Sequence, residues 1–258
     1  MARSPSGYEE KEGEVLTPFY NLIKTKTAEL KHSVKPWVKN GNGEVVGRRY
    51  DKERILHYAA ALQLISTKTT IPVPRLLGFG ENADDGTAWI EMERTHNGIW
   101  LPLVKDECRM PPGKQHVADG ECAECDHIAK ANARRFLADE VLPQLLSLTS
   151  DTTGLNGVVI PPLWVMEWEK DAFWPPKTKT KTAGSGGKEE EYVFCHGNLH
   201  AHSILMHADT LHVLKIYDWE DAGYFPRDFL DVWTLERPDY EEYYENEERR
   251  KKLSALMV

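Results

Sequence analysis

At 258 residues, with 41% hydrophobic and 28% charged side chains, the chain has the size and balance of one two-lobed domain or two small ones, with a core that needs no covalent staples. A net charge of -9 and a pI of about 5.6 exclude the basic stripe of a nucleic-acid surface and the cationic patch of an anionic-membrane binder. No stretch has the apolar centre of a signal peptide or the roughly 18 apolar residues of a membrane span, and the four cysteines read as free thiols in a reducing, cytoplasmic setting.

Residues 1–33 read as an N-terminal extension, mobile at its start, and residues 34–94 as a first lobe with its hinge. Val34 to Val38 has strand character, and Asn40-Gly41-Asn42-Gly43 is a hairpin signal because Asn and Gly tolerate positive φ. Glu44 to Arg49 is the expected return strand. Asp51 to Ile65 predicts a helix capped by Asp51, with Ile55, Tyr58, Ala59, Leu62 and Ile65 on one stripe. Thr70 to Gly78 is expected to be extended, since Pro72 and Pro74 disfavour helix for themselves and their predecessors. Thr87 to Arg94 alternates as a strand does.

Residues 95–258 read as a second lobe. Trp100 to Gly120 has no regular period. Ala123 to Leu148 predicts a long helix that Pro143 kinks or breaks. Residues 175–191 are polar and low in complexity, and read as a flexible insertion. Tyr192 to Cys195, Ser203 to Met206 and His212 to Tyr217 read as short strands, and Phe229 to Val258 as mostly helical with a solvated, charged face.

Four short motifs follow one another in this frame. They are Thr70-Ile71-Pro72-Val73-Pro74, then Trp89-Ile90-Glu91-Met92-Glu93-Arg94 with Gly98, then His196-Gly197-Asn198-Leu199-His200 leading to Ser203-Ile204-Leu205, and finally Asp218-Trp219-Glu220-Asp221-Ala222-Gly223 with Pro226. Each is weak alone. Together, in order, they resemble the aminoglycoside phosphotransferase and choline kinase-like family, whose fungal members carry the first motif and whose catalytic and metal motifs usually read H-G-D-L-H-x-x-N-I-L and I-D-W-E. The resemblance implies a protein-kinase-like α/β (α+β) fold, with a small N-lobe of antiparallel sheet plus one helix and a larger, mainly helical C-lobe.

It also implies ATP and Mg²⁺ as cofactors and a small-molecule hydroxyl as phosphate acceptor. Phosphoryl transfer leaves a protein mainly to position its substrates and neutralise phosphate charge. On the family pattern, Asp218 is the metal-binding carboxylate. Asn198 stands where the catalytic Asp is usual, Ser203 where the metal-binding Asn is usual, and His196 braces the loop. Lys35 and Glu53 are the implied phosphate-setting pair, with Gly47 or Arg48 as alternative positions for the cation. Glu91, Met92 and Glu93 are the implied adenine-contacting hinge. An amide cannot take a proton as a carboxylate does, so Asn198 orients an acceptor without acting as its base. A serine hydroxyl would meet the metal through water. The implied enzyme is therefore impaired. A binding or regulatory pseudokinase, and an enzyme that reuses the cleft for non-phosphoryl chemistry, stay open.

Other constellations carry less. His200 is a candidate replacement base, and His196, His200, His202, His207 and His212 with Asp218 could form a transition-metal site only if several converge. Cys122-Ala123-Glu124-Cys125 is a single C-x-x-C with Cys108, His116 and His127 nearby. Zinc normally takes four ligands from two such pairs, so these read as free cysteines near a helix start. Trp164, Trp168, Phe173 and Trp174 read as core packing, with the lining of an acceptor pocket as the alternative. The oligomeric state is left open.

Overall fold

The computed structural model describes residues 13–16, 20–33, 51–162, 164, 174–179, 192–236 and 246–257. The chain folds into two lobes. The first is a five-stranded antiparallel sheet of β1 (Gly13–Leu16), β2 (Tyr20–Lys24), β3 (Ala28–Ser33), β4 (Leu76–Glu81) and β5 (Ala88–Glu93), in the order β1-β2-β3-β5-β4. Three of these strands come from the segment expected to be an extension before the lobe. Their alternation is short and interrupted by the charged turn at residues 24–27, where the Thr25 amide donates to the Ala28 carbonyl at 2.9 Å. Such a turn closes a hairpin without the Asn-Gly signature that drew attention to residues 40–43. The strands and hairpin expected over residues 34–49, and Lys35 with them, lie outside the described residues.

Helix α1 (Asp51–Lys68) crosses this sheet. Its expected stripe, Ile55, Tyr58, Ala59, Leu62 and Ile65, is buried throughout. Each fully buried aliphatic or aromatic side chain there contributes about 1.5–3 kcal/mol. The helix runs one turn further than Ile65, through Ser66-Thr67-Lys68. The proline-rich stretch beyond it is extended, as its prolines demand, and the Pro72 carbonyl accepts from the Ile216 amide at 2.9 Å. That bond ties the first lobe to the second.

β6 (Gly98–Trp100) opens the second lobe and pairs with β10 (Ile204–His207), which pairs with β11 (Val213–Ile216). Helix α2 (Ala123–Phe136) continues through a π-turn at Leu137–Val141 into α3 (Leu142–Ser147), a joined run of 25 residues. The expected break at Pro143 is thus resolved inside the helix. The Leu142 amide reaches back to the Leu137 carbonyl, and this widened turn takes up the frame change just ahead of the proline, which has no amide hydrogen to offer.

A second small sheet has the order β12-β8-β7, from β12 (Gly223–Phe225), β8 (Tyr192–Cys195) and β7 (Thr149–Ser150). β9 (Leu199–His200) pairs in parallel with β13 (Trp233–Thr234). This last strand lies in the region expected to be mostly helical; the described helix there is α4 (Glu247–Ala255). Residues 174–179, at the start of the expected insertion, run along residues 151–159 through bridges Val159 to Trp174 and Thr152 to Thr178. Trp164 and Trp174 pack on Phe229, at 5.7 and 6.2 Å between ring centroids.

Candidate active site between the lobes

The loop from β8 to β10 carries His196 to Ser203, and Tyr217-Asp218 directly follow β11. One imidazole fastens the two. His196 Nε2 donates to the Tyr217 carbonyl at 2.8 Å, while its Nδ1 accepts from the Asn198 amide at 3.3 Å. This uses both ring nitrogens in one neutral tautomer. Burial pushes the His196 pKa down to about 4, against the pull of the Tyr217 carbonyl, so the ring stays neutral near pH 7. Trp219 covers it at 4.4 Å between centroids, and the Trp219 indole donates to the Ile216 carbonyl at 2.9 Å.

Gly197 permits the loop to turn. Its φ is 82°, and a Cβ there would lie 2.1 Å from the Asp221 carbonyl oxygen. A side chain would meet both the left-handed backbone penalty, about 1–2 kcal/mol, and a backbone collision. Asn198 follows, part-buried, and its Oδ1 is sealed from solvent with no hydrogen-bond partner among the described residues. An orphaned buried acceptor costs about 1–3 kcal/mol, and it marks a place where a donor or a cation belongs.

Ser203 is fully buried. Its hydroxyl accepts from the His200 amide at 3.2 Å and lies 3.2 and 3.1 Å from the Asn198 and His200 carbonyls. Those three backbone groups hold it inside the turn. His200 caps the same turn, its Nδ1 accepting from the His202 amide at 3.1 Å. Burial, and secondarily the neighbouring His196 and His202 rings, push its pKa down to about 3.

Asp218 has a left-handed backbone, φ 60° and ψ 44°. Asp tolerates this region better than most residues, and such a residue held at a loop is a sign of function. Its amide donates to the Tyr58 hydroxyl of α1 at 3.2 Å. Burial first, then the Asp218 charge, raises the Tyr58 pKa well above the ordinary phenol value and keeps it protonated. The turn after Asp218 is gripped from the first lobe. Arg54 of α1 forms a buried ion pair with Asp221, and its Nη2 donates to the Pro161 carbonyl at 3.0 Å.

The central feature comes from β3. Lys31 Nζ meets Glu220 Oε2 at 2.9 Å, with side chains only 7% and 8% exposed. The ammonium also sits 4.1 Å from the Tyr20 ring centroid and 5.8 Å from that of Tyr58. A cation from the first lobe and a carboxylate two residues beyond Asp218 thus close on each other across the lobes. Sequence reasoning missed Lys31. The signal was present in Ala28-Glu29-Leu30-Lys31, an apolar-polar alternation ending in Lys, but the segment had been read as lying before the lobe.

Residues 33–251 match the profile described as the phosphotransferase enzyme family, APH. The chain belongs to this family. No curated protein matches it. In this phosphotransferase-family chain the matched span begins at the end of β3, just beyond Lys31, and takes in every residue of the loop and of the Asp218 turn.

The remaining described site residues expected from the sequence belong to the first lobe. Glu53 lies in the first turn of α1. Glu91, Met92 and Glu93 end strand β5, which lies between β3 and β4, with Met92 buried and Glu93 exposed. The Glu93 side chain bonds Arg75 at 3.0 and 3.2 Å, and its amide donates to the Arg75 carbonyl at 2.9 Å. Residues 94–97 then lead to β6. The Tyr217 hydroxyl donates to Thr95 Oγ1 at 2.7 Å and so pins this hinge to the strand of Asp218. No helix among the described residues is long and apolar enough to cross a membrane.

Proposed function

We propose that this chain binds ATP with Mg²⁺ between its lobes and passes phosphate to a small-molecule hydroxyl slowly. The observation that carries this reading is the buried Lys31–Glu220 pair, which delivers a first-lobe cation beside the Asp218 turn. The donor set fits a hard divalent cation: Asp218 offers a carboxylate, and the orphaned Asn198 Oδ1 offers a second hard oxygen. Bound Mg²⁺ would neutralise phosphate charge.

The chain's own residues take the other roles. Lys31, not Lys35, is the proposed phosphate lysine, and Glu220 holds it in place. The second lone pair of Asn198 Oδ1 accepts from the acceptor hydroxyl and orients it without taking its proton. Loss of general-base assistance is worth about 10² to 10⁴ in rate. His196 keeps Asn198 and Asp218 in one hydrogen-bonded unit. Ser203, whose oxygen is committed to three backbone groups, is proposed to shape the loop instead of meeting the metal. The adenine is assigned to the backbone following Glu91-Met92-Glu93.

The same two residues favour the rival reading, a pseudokinase that binds without turnover, because Asn198 is not a base and Ser203 is spent on its turn. Thermal unfolding with and without Mg²⁺-ATP tests the shared premise. A ligand at about 100 times its dissociation constant stabilises a fold by roughly 2.7 kcal/mol. The expected result is a rise in Tm at millimolar Mg²⁺-ATP that EDTA reverses. An unmoved Tm removes the nucleotide from both readings.

A further inference from the structure

A second cluster lies away from the cleft, where the second lobe's long helix begins. Cys108, His116, Cys122 and Cys125 bring their four ligand atoms within 4.8 Å of one another. His116 Nδ1 lies 3.5 Å from both Cys122 Sγ and Cys125 Sγ, and 3.9 Å from Cys108 Sγ. Cys108 Sγ and Cys125 Sγ are 3.9 Å apart. A tetrahedral zinc ion, with bonds of about 2.3 Å to sulfur and 2.0–2.1 Å to nitrogen, requires ligand-to-ligand edges of about 3.8 Å between sulfurs and about 3.5 Å from nitrogen to sulfur. The two His116 edges to Cys122 and Cys125 and the Cys108–Cys125 edge have those lengths, and the His116–Cys108 edge, at 3.9 Å, is somewhat longer. A disulfide would need sulfurs at about 2.05 Å, and three cysteines cannot pair off.

We propose that Cys108, His116, Cys122 and Cys125 form a structural zinc site. The spacing is Cys-x7-His-x5-Cys-x2-Cys. Three of the four ligands come from the irregular connection ahead of α2, and Cys125 from the first turn of the helix itself. The soft thiolates and the imidazole suit Zn²⁺. Four protein ligands leave no open position, which makes the site structural and not catalytic.

The surroundings supply what such a site needs. The Arg109 amide donates to Cys125 Sγ at 3.3 Å and the His116 amide to Cys108 Sγ at 3.2 Å, outer bonds of the kind that orient metal ligands. The connection gains from the ion what its sequence does not give it. Residues 107–122 form neither helix nor strand, and most of their side chains are exposed, so they have little apolar surface with which to fix themselves. One ion would clamp both ends of this connection onto α2. The sequence alone showed one pair where zinc sites usually show two; the fold brings Cys108 and His116 to complete the set.

The test is the metal content of the full-length protein, produced with zinc in the medium and purified without chelator. About one zinc per chain is expected. Cys122→Ser and His116→Ala should each fall to background, while His127→Ala, an exposed histidine outside the cluster, should keep its zinc. Loading the wild-type chain with Co²⁺ after zinc removal should give thiolate-to-cobalt charge-transfer bands and the intense visible bands of a tetrahedral site. This readout stands even if the ligand variants fail to fold. A wild-type chain without zinc that gives no tetrahedral cobalt spectrum overturns the proposal. So does iron in place of zinc, or unchanged zinc in the Cys122 and His116 variants.

Discussion

Replacing Lys31 with Met is expected to lower the unfolding free energy by about 3–5 kcal/mol and to abolish any stabilisation by Mg²⁺-ATP. The loss follows from burial. Lys31 and Glu220 are almost sealed from solvent and meet at 2.9 Å. Removing the ammonium takes the Lys31 counter-charge from a carboxylate almost sealed from solvent, and that penalty exceeds the value of the pair itself. The double variant Lys31→Met, Glu220→Gln removes both charges and should regain most of the stability, as measured by urea unfolding. It should not regain the response to Mg²⁺-ATP, because no ammonium remains to hold phosphate. A double variant that binds the nucleotide as the wild type does would leave Lys31 a purely structural partner of Glu220. A single variant that loses less than about 1 kcal/mol would mean that the pair behaves as a solvated surface bridge.

Asn198→Asp is expected to raise the release of inorganic phosphate from Mg²⁺-ATP, with water standing in for the unknown acceptor, by about 10²-fold. This is the low end of general-base effects, because a loose transition state asks little of its base. The new carboxylate would occupy a buried position whose oxygen has no partner among the described residues, so the variant should be less stable without Mg²⁺ and gain more from it than the wild type does. Adding Ser203→Asn should not add to the rate. Ser203 is fully buried inside its turn, and a larger side chain there costs about 1–3 kcal/mol through overpacking. Single-turnover assays on the two single variants and the double variant separate these effects. An unchanged rate in Asn198→Asp would show that Asn198 is not what limits the chemistry.

Much of the fold could be read from residue patterns. The stripe of α1 is buried as expected, and strands form at residues 88–93, 192–195 and 213–216, within the segments expected to be strands. The first hairpins were harder. β2 and β3 carry Lys24, Glu29, Lys31 and His32 among their few apolar residues, and a strand whose polar positions are filled by partners on other elements looks solvent-facing until those partners are known. Lys31 is the clearest case: its burial depends on Glu220, 189 residues away. Motif spacing gave Ser203 a water-mediated place at the metal, and the hydrogen bonds that hold its hydroxyl within the turn are described by no linear pattern. The fate of Pro143 was illegible for a similar reason, since a kink and a π-turn share the same local sequence. The cysteine cluster shows the converse, in which a weak single motif gains weight once the chain returns Cys108 and His116 to it.

The most direct measurement is a crystal structure with Mg²⁺ and a non-hydrolysable ATP analogue. The expected result is a metal ion on the Asp218 carboxylate, phosphate oxygens within hydrogen-bond reach of Lys31, and the base against the backbone of residues 93–97. An analogue found elsewhere on the protein, or a cleft in which Lys31 and Asp218 contact neither metal nor phosphate, would contradict it.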